Sequence, residues 1–206
     1  MTLEIVYFGM AGRGEVLKLI AEAGQVEYVF TPVKYENWSS LKPSTRYGQL
    51  PMLKINQDVT LYQTISIARY LAQEGGLYPS DRIEASLSEE YVAAVDEIIA
   101  GFVTVFFKTP EEKRPEALKS FSEGVLKTIL NALDKVLEKN GDYHLIKGKL
   151  TWADLFLFDI VGNLRMRGID ISFASNVAKM IDNIKENNER IKSFLESDRN
   201  LRKPTQ

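Results

Sequence analysis

The alternation of apolar and polar positions splits the chain into a short-period first third and a long-period remainder. Leu3 to Phe8 is mostly apolar and rich in β-branched and aromatic residues, which predicts a buried strand. A glycine-containing loop, residues 9–14, follows it. Apolar residues at 16, 17, 19, 20 and 23 then predict a helical face over 15–23, ended by Gly24. Tyr28, Val29 and Phe30 predict a second strand stopped by Pro32, and residues 35–42 an irregular helical segment ahead of Pro43. Residues 52–55 and 59–62 predict two short strands joined through Asn56-Gln57-Asp58, a hairpin signal. Residues 64–74 predict a helix ended by Gly75-Gly76. The order is βαβαββα, so the opening calls for a parallel pair with a right-handed crossover and the closing hairpin is antiparallel.

Past Gly76 no strand pattern continues, and helical periods take over. Leu87, Tyr91, Val95, Ile98, Phe102, Val105 and Phe106 lie at three- and four-residue spacing and predict a helix over 86–107. Leu118 to Val136 does the same over 116–139, closing at Gly141. Residues 151–165 are almost wholly apolar and predict the central buried helix, whereas 177–197 predicts a more polar, amphipathic one. Thr151 and Asp154 fit a capping box, with Asp in place of Glu, which contributes roughly 1 kcal/mol. The fold class read from this pattern is α/β plus all-α: an α/β domain over 1–76, a linker over 77–83, and an all-helical domain over 84–206.

Composition narrows the function. The chain has 206 residues, 45% of them hydrophobic and 26% charged, which is ample for a core. With 26 Lys and Arg against 28 Asp and Glu, the net charge is -2, so nothing favours nucleic acid or an anionic membrane as partner. Arg199, Arg202 and Lys203 read as a solvated tail. No apolar run is long enough to span a bilayer, and no basic segment with a signal core opens the chain, so a soluble cytoplasmic protein is expected. There is no cysteine and a single histidine, His144, which reads as a surface loop residue. Disulfides, thiolate metal sites and a cysteine nucleophile are thereby excluded, and no metal site is expected.

The candidate chemistry gathers around Gln49-Leu50-Pro51-Met52-Leu53 and Tyr62-Gln63-Thr64-Ile65-Ser66. The residue before a proline is held extended, and a helix start offers unpaired N–H groups, so together they suit the backbone and carboxylate of a small peptide. Tyr7 ends the first strand, and the chain has no thiol of its own, which points to a thiol brought by another molecule. Each residue also has a plainer reading. Tyr7 fits a core tyrosine, Arg13 a surface arginine, and Thr64 the N-cap of its helix. Trp38 and Lys42 share a helical face, where they fit a core cap and a solvated amine. Asp96 lies in an apolar helical pattern and fits an exposed face or a functional acid equally well. The Gly12-Arg13-Gly14 pair is too short for a dinucleotide fingerprint, since Leu17 stands where a third glycine belongs.

Taken together, these residues resemble those of the cytosolic glutathione transferases, most closely the sigma-like group that includes haematopoietic prostaglandin D synthase. The resemblance runs through Val6-Tyr7-Phe8 with Gly12-Arg13-Gly14, Glu36-Asn37-Trp38 with Lys42, and Tyr47 to Pro51. It continues through Gln63 to Leu71, Val95-Asp96-Glu97 and Leu150 to Asp154. It implies a thioredoxin-like N-terminal domain, an all-helical C-terminal domain and a homodimer. By the same resemblance, Tyr7 hydrogen-bonds the glutathione sulfur and Arg13 helps to hold the thiolate. Trp38 and Lys42 face the glycine carboxylate, while Gln49 and Leu50, ahead of a cis Pro51, pair with the cysteinyl backbone. Gln63 and Thr64 take the γ-glutamyl carboxylate, and Asp96 reaches across the dimer to the γ-glutamyl ammonium. Thr64 departs from the more usual serine but keeps the hydroxyl. Phe8, Met10, Phe102, Val105 and Phe106 are the expected pocket for a hydrophobic electrophile, and they match no subgroup closely.

The implied function is a glutathione transferase of detoxification that conjugates the thiolate to soft hydrophobic electrophiles, with glutathione-dependent peroxidase activity as an extension. A prostaglandin D synthase-type isomerase using the same thiolate, and a non-catalytic ligand-binding or crystallin-like protein, are the alternatives. A free thiol with a pKa of about 8.5 is only a few per cent ionised at neutral pH. Stabilising its thiolate by roughly 2.7 kcal/mol lowers that value by about two units and makes the ion predominant.

Overall fold

The first strand, β1 (Leu3–Phe8), lies inside a four-stranded sheet of order β2-β1-β3-β4, with β2 (Val29–Val33), β3 (Met52–Ile55) and β4 (Val59–Tyr62). β1 pairs parallel with β2 and antiparallel with β3, and β3 pairs antiparallel with β4. α1 (Glu15–Ala23) crosses from β1 to β2, α2 (Tyr35–Leu41) follows β2, and α3 (Thr64–Glu74) follows β4. This structure, a computed structural model, describes residues 1–56 and 58–202. Gln57 of the expected hairpin turn and Lys203 of the expected tail lie outside them.

The sheet and its helices follow the hydrophobic pattern closely. β2 nonetheless runs through Pro32, which pairs with Tyr7, instead of stopping before it. β2 is an edge strand, where a missing N–H need not remove a ladder bond. α1 buries Val16, Leu17, Leu19 and Ile20, and α3 buries Ile67, Ala68, Leu71 and Ala72. Each large aliphatic side chain so buried contributes about 1.5–3 kcal/mol. The two helices end against each other at Gly24 and Gly75, where a Cβ on either would lie 2.7 Å from the other's Cα.

By their contacts the residues form two units, Met1–Tyr78 with the chain from Lys185 on, and Pro79–Ile184. The second unit holds α4 (Arg82–Val103), α5 (Arg114–Phe121), α6 (Lys127–Asn140), α7 (Trp152–Met166) and most of α8 (Ser175–Asn187). α4 begins at Arg82, ahead of the expected Ser86, because the Asp81 carboxylate caps it. That carboxylate accepts the N–H groups of Ile83 at 2.9 Å and Glu84 at 3.0 Å. The period expected over 116–139 breaks at a π turn, Ser122–Leu126, where Gly124 takes the non-helical values φ −94° and ψ −112°. A second π turn, Thr104–Lys108, ends α4.

The capping box of α7 is present. Asp154 accepts Thr151 N–H and Oγ1–H, both at 2.8 Å, and also the Leu145 N–H at 2.8 Å. Anchoring Leu145 in this way leaves the adjacent His144 half-buried instead of on the surface. Trp152, wholly buried, donates its indole N–H to Ser88 Oγ on α4 at 2.9 Å. The helix expected over 177–197 is two helices: Asn188 leaves helical backbone and accepts the Ile191 N–H at 3.0 Å, starting α9 (Glu189–Glu196). α9 packs on α1 in the first unit. Arg202, expected in a solvated tail, is buried there, and Arg199 forms an ion pair with Glu22. Charge alone does not make a tail when acidic partners on a helix face are waiting for it.

Candidate functional site

Tyr7 is the next-to-last residue of β1, and the loop that follows closes around its ring. A Cβ on Gly12 would sit 2.7 Å from Tyr7 Oη, and one on Gly14 would sit 2.6 Å from the ring carbons. Only glycine lets the chain pass the ring this closely. The wrap aims the Arg13 backbone N–H at Tyr7 Oη, which accepts it at 3.1 Å. A phenol accepts hydrogen bonds and carries one hydrogen to give, so this arrangement leaves the O–H as a donor beside the start of α1. Burial pushes the Tyr7 phenol above the usual tyrosine value, with the Arg13 N–H pulling the other way. The phenol is therefore protonated at neutral pH. An anion placed there meets a hydroxyl donor and the positive end of a nine-residue helix.

Next to Tyr7, Phe8 gathers an aromatic group. Its ring meets Tyr7 edge-on at 5.5 Å and Trp38 edge-on at 5.4 Å, and stacks on Tyr35 at 4.9 Å. The Tyr35 hydroxyl reaches Met10 Sδ at 3.3 Å. Phe8 and Met10 thus share one cluster with Trp38. Sequence reasoning missed Tyr35, which is 70% exposed and sits in no apolar period.

A second group lies along the approach to β3 and the start of α3. Lys42 follows α2 and keeps helical spacing from Trp38, whose carbonyl accepts its N–H. The Lys42 stem passes close to Gly48, where an added Cβ would meet it at 3.3 Å. The Leu50-Pro51 peptide is cis. The Leu50 side chain packs on the Val6, Val33 and Met52 core. The Gln63 side-chain amide donates to Gln49 Oε1 at 3.5 Å, which brings these two residues together. Thr64 is not the N-cap of α3: Gln63 is, at φ 69°, and Thr64 is the first helical residue, buried. The Gln63 side chain makes no cap bond to α3, so the first N–H groups of the helix do not have that partner.

In the second unit, Asp96 is half-buried on α4. Phe102 and Val105 are buried, and the Phe102 and Phe106 rings meet at 4.7 Å. The Arg167 guanidinium lies 4.9 Å over Phe106. Among the described residues, no group of three or more His, Asp or Glu could hold a metal ion. None of their helices is long and apolar enough to cross a membrane.

Comparison with known proteins places both halves of the chain. Residues 3–73 match the family model described as the glutathione S-transferase N-terminal domain, and residues 96–198 the one described as its C-terminal domain. Glutathione S-transferase 1 of Ascaris suum is 34% identical over 170 residues, 76% of this chain and 77% of that protein. Glutathione S-transferase 2 of Manduca sexta is 31% identical over 196 residues, 93% of this chain and 94% of its own length. Among solved structures, the glutathione S-transferase from Ascaris lumbricoides has a TM-score of 0.85 at 25% identity, covering 100% of this chain and 99% of that one.

Proposed function

Because the chain belongs to the glutathione S-transferase family, we propose that it works through Tyr7 as the donor that stabilises the glutathione thiolate, in a sigma-like member of that family. The protein is a glutathione transferase, and glutathione is its co-substrate. The tripeptide supplies the nucleophile that a chain without cysteine lacks. The observation that carries the role of Tyr7 is the Arg13 N–H bond to its oxygen, which leaves the phenol hydrogen to be given to a thiolate. Arg13 adds positive charge at the same place.

The remaining roles follow the chemistry of the tripeptide. Trp38 and Lys42 take the glycine carboxylate. Gln49 and Leu50, ahead of Pro51, pair with the cysteinyl backbone as an added strand would. Gln63, Thr64 and the uncapped start of α3 take the γ-glutamyl carboxylate, a reading supported by the contact between Gln49 and Gln63. Phe8 and Met10, gathered with Tyr35, supply apolar contacts for a soft electrophile. Phe102, Val105 and Phe106 form an apolar group of their own on the second unit. Asp96 reaches the γ-glutamyl ammonium of a second copy, which makes the active form a homodimer. A cytoplasmic location completes the reading.

The test is the rate of glutathione conjugation to a chromogenic aryl halide. Losing a hydrogen bond to a charged group costs about 1.5–3 kcal/mol, so Tyr7→Phe is expected to lower kcat roughly 10- to 100-fold. The dissociation constant for glutathione should change little. A loss divided equally between rate and affinity would remove Tyr7 from the role of thiolate donor.

A further inference from the structure

One buried charge cluster takes no part in the chemistry proposed above. Glu15 and Lys18, on one face of α1, are 0% and 1% exposed and pair at 2.9 Å. Both also hold the C-terminal segment. Lys18 Nζ donates to the Arg199 carbonyl at 2.6 Å, and the Leu201 N–H donates to Glu15 Oε1 at 3.2 Å. The Lys18 ammonium lies 4.6 Å from the Phe30 ring centroid and 5.4 Å from that of Phe194. Arg199 pairs with Glu22, which accepts the Tyr28 hydroxyl at 2.9 Å. Burial pushes Lys18 below the usual lysine value while Glu15 opposes it, and burial lowers Arg202 to about 10.

A buried ion pair is weak evidence for stability, because desolvation offsets most of its attraction. This one does fix geometry. Glu15 is the first residue of α1, and its N–H donates to the Gly12 carbonyl at 2.9 Å. Gly12 and Gly14 bound the Tyr7 ring, and the Arg13 between them donates to the Tyr7 oxygen. A shift of Glu15 therefore reaches the phenol through two residues of backbone.

We propose that the C-terminal segment over 194–202, locked onto Glu15 and Lys18, is a positioning device that holds the first turn of α1 and thereby the Tyr7 hydroxyl. The proposal rests on Tyr7 as the thiolate donor. Lys18 and Glu15 act through that residue and do not touch glutathione. A purely structural tether would change stability and leave the chemistry of bound glutathione alone.

The experiment compares full-length Lys18→Met, Lys18→Arg, Leu201→Pro and Tyr7→Phe with the native chain. Leu201→Pro removes the Leu201 N–H that Glu15 accepts and leaves Lys18 in place, so it reports even if Lys18→Met does not fold. The readouts are the pKa of the bound glutathione thiol, from thiolate ultraviolet absorbance against pH, with kcat, KM and Tm. Lys18→Met and Leu201→Pro are expected to raise the bound thiol pKa by about half a unit to one unit and to lower kcat about three- to tenfold. KM for glutathione should stay within about twofold, and Lys18→Arg should restore the native pKa. A lowered Tm with native thiol pKa and kcat would overturn the positioning role. An unshifted thiol in Tyr7→Phe would overturn the thiolate-donor reading itself, which separates the two failures.

Discussion

Gln63 stands at φ 69° and ψ 124°, a backbone that a side chain with a Cβ adopts only under strain, at a cost of about 1–3 kcal/mol. Its reward is position: the side chain meets Gln49 while the helix start opens beside it. Gln63→Gly removes both the strain and the amide. The variant is expected to unfold at the native temperature or a few degrees above it, while its dissociation constant for glutathione rises at least about tenfold. Thermal melts and titration calorimetry together check it, and unchanged affinity would take Gln63 out of the binding site. Tyr7 makes a prediction about pH. Its phenol is held above the usual tyrosine value, so it stays a donor through neutral and mildly alkaline pH. With glutathione saturating, the rise of kcat/KM for the electrophile with pH should then follow the bound thiol alone, with its midpoint below the free value of about 8.5. In Tyr7→Phe the midpoint should move up toward that free value. The sign follows because the donor favours the thiolate over the thiol, and its loss favours the thiol.

Among the elements, the loop from Gly9 to Gly14 and the start of α1 act as one clasp on Tyr7. Gly14→Ala would drive a Cβ to 2.6 Å from the ring, and neither the backbone nor a ring packed against Phe8 can yield easily. The expected outcome is a conjugation rate at least about tenfold below native, with glutathione affinity less affected. A native rate in Gly14→Ala would show that the ring has room the geometry denies. The sequence carries only a Gly-x-Gly pair here, too common to read, because the constraint comes from a ring folded back onto the loop. What was legible obeyed short-range rules. The strands and helices over residues 1–78, the capping box of Thr151 and Asp154, and the stop at Gly141 all follow from local period and propensity. What was not legible depended on distant partners. Pro32 is tolerated because β2 proves to be an edge, and Arg202 is buried because Glu15 lies on α1. Gly124 and Asn188 break helices whose apolar period continues across them, so the period alone hides the break. Glu15 and Lys18 left a faint signal, two charges three residues apart inside an apolar run.

At the scale of the whole molecule, one face of α4 remains to be covered. Ile83 is 72% exposed and Leu87 is 36% exposed, and they line an open groove with Arg82, Ser86 and Glu90. Large aliphatic side chains one turn apart, rimmed by charges, suit a second copy of the chain better than water. The homodimer proposed above joins this face to Asp96 farther along the same helix, since a carboxylate that serves the partner's glutathione needs the partner in place. Ile83→Arg sets a charge into that apolar patch and touches no residue assigned to glutathione. Sedimentation of this variant at micromolar concentration is expected to give monomer where the native chain gives dimer, and its Tm should no longer depend on protein concentration. Glutathione affinity should fall in the same variant by about as much as in Asp96→Ala, and the double variant should lose no more than either alone, since both remove one interaction. A monomer that binds glutathione with native affinity would confine the site to one chain and return Asp96 to a structural role on α4. A dimer that persists in Ile83→Arg, with Asp96→Ala still weakened, would keep the shared site and move the interface to another face.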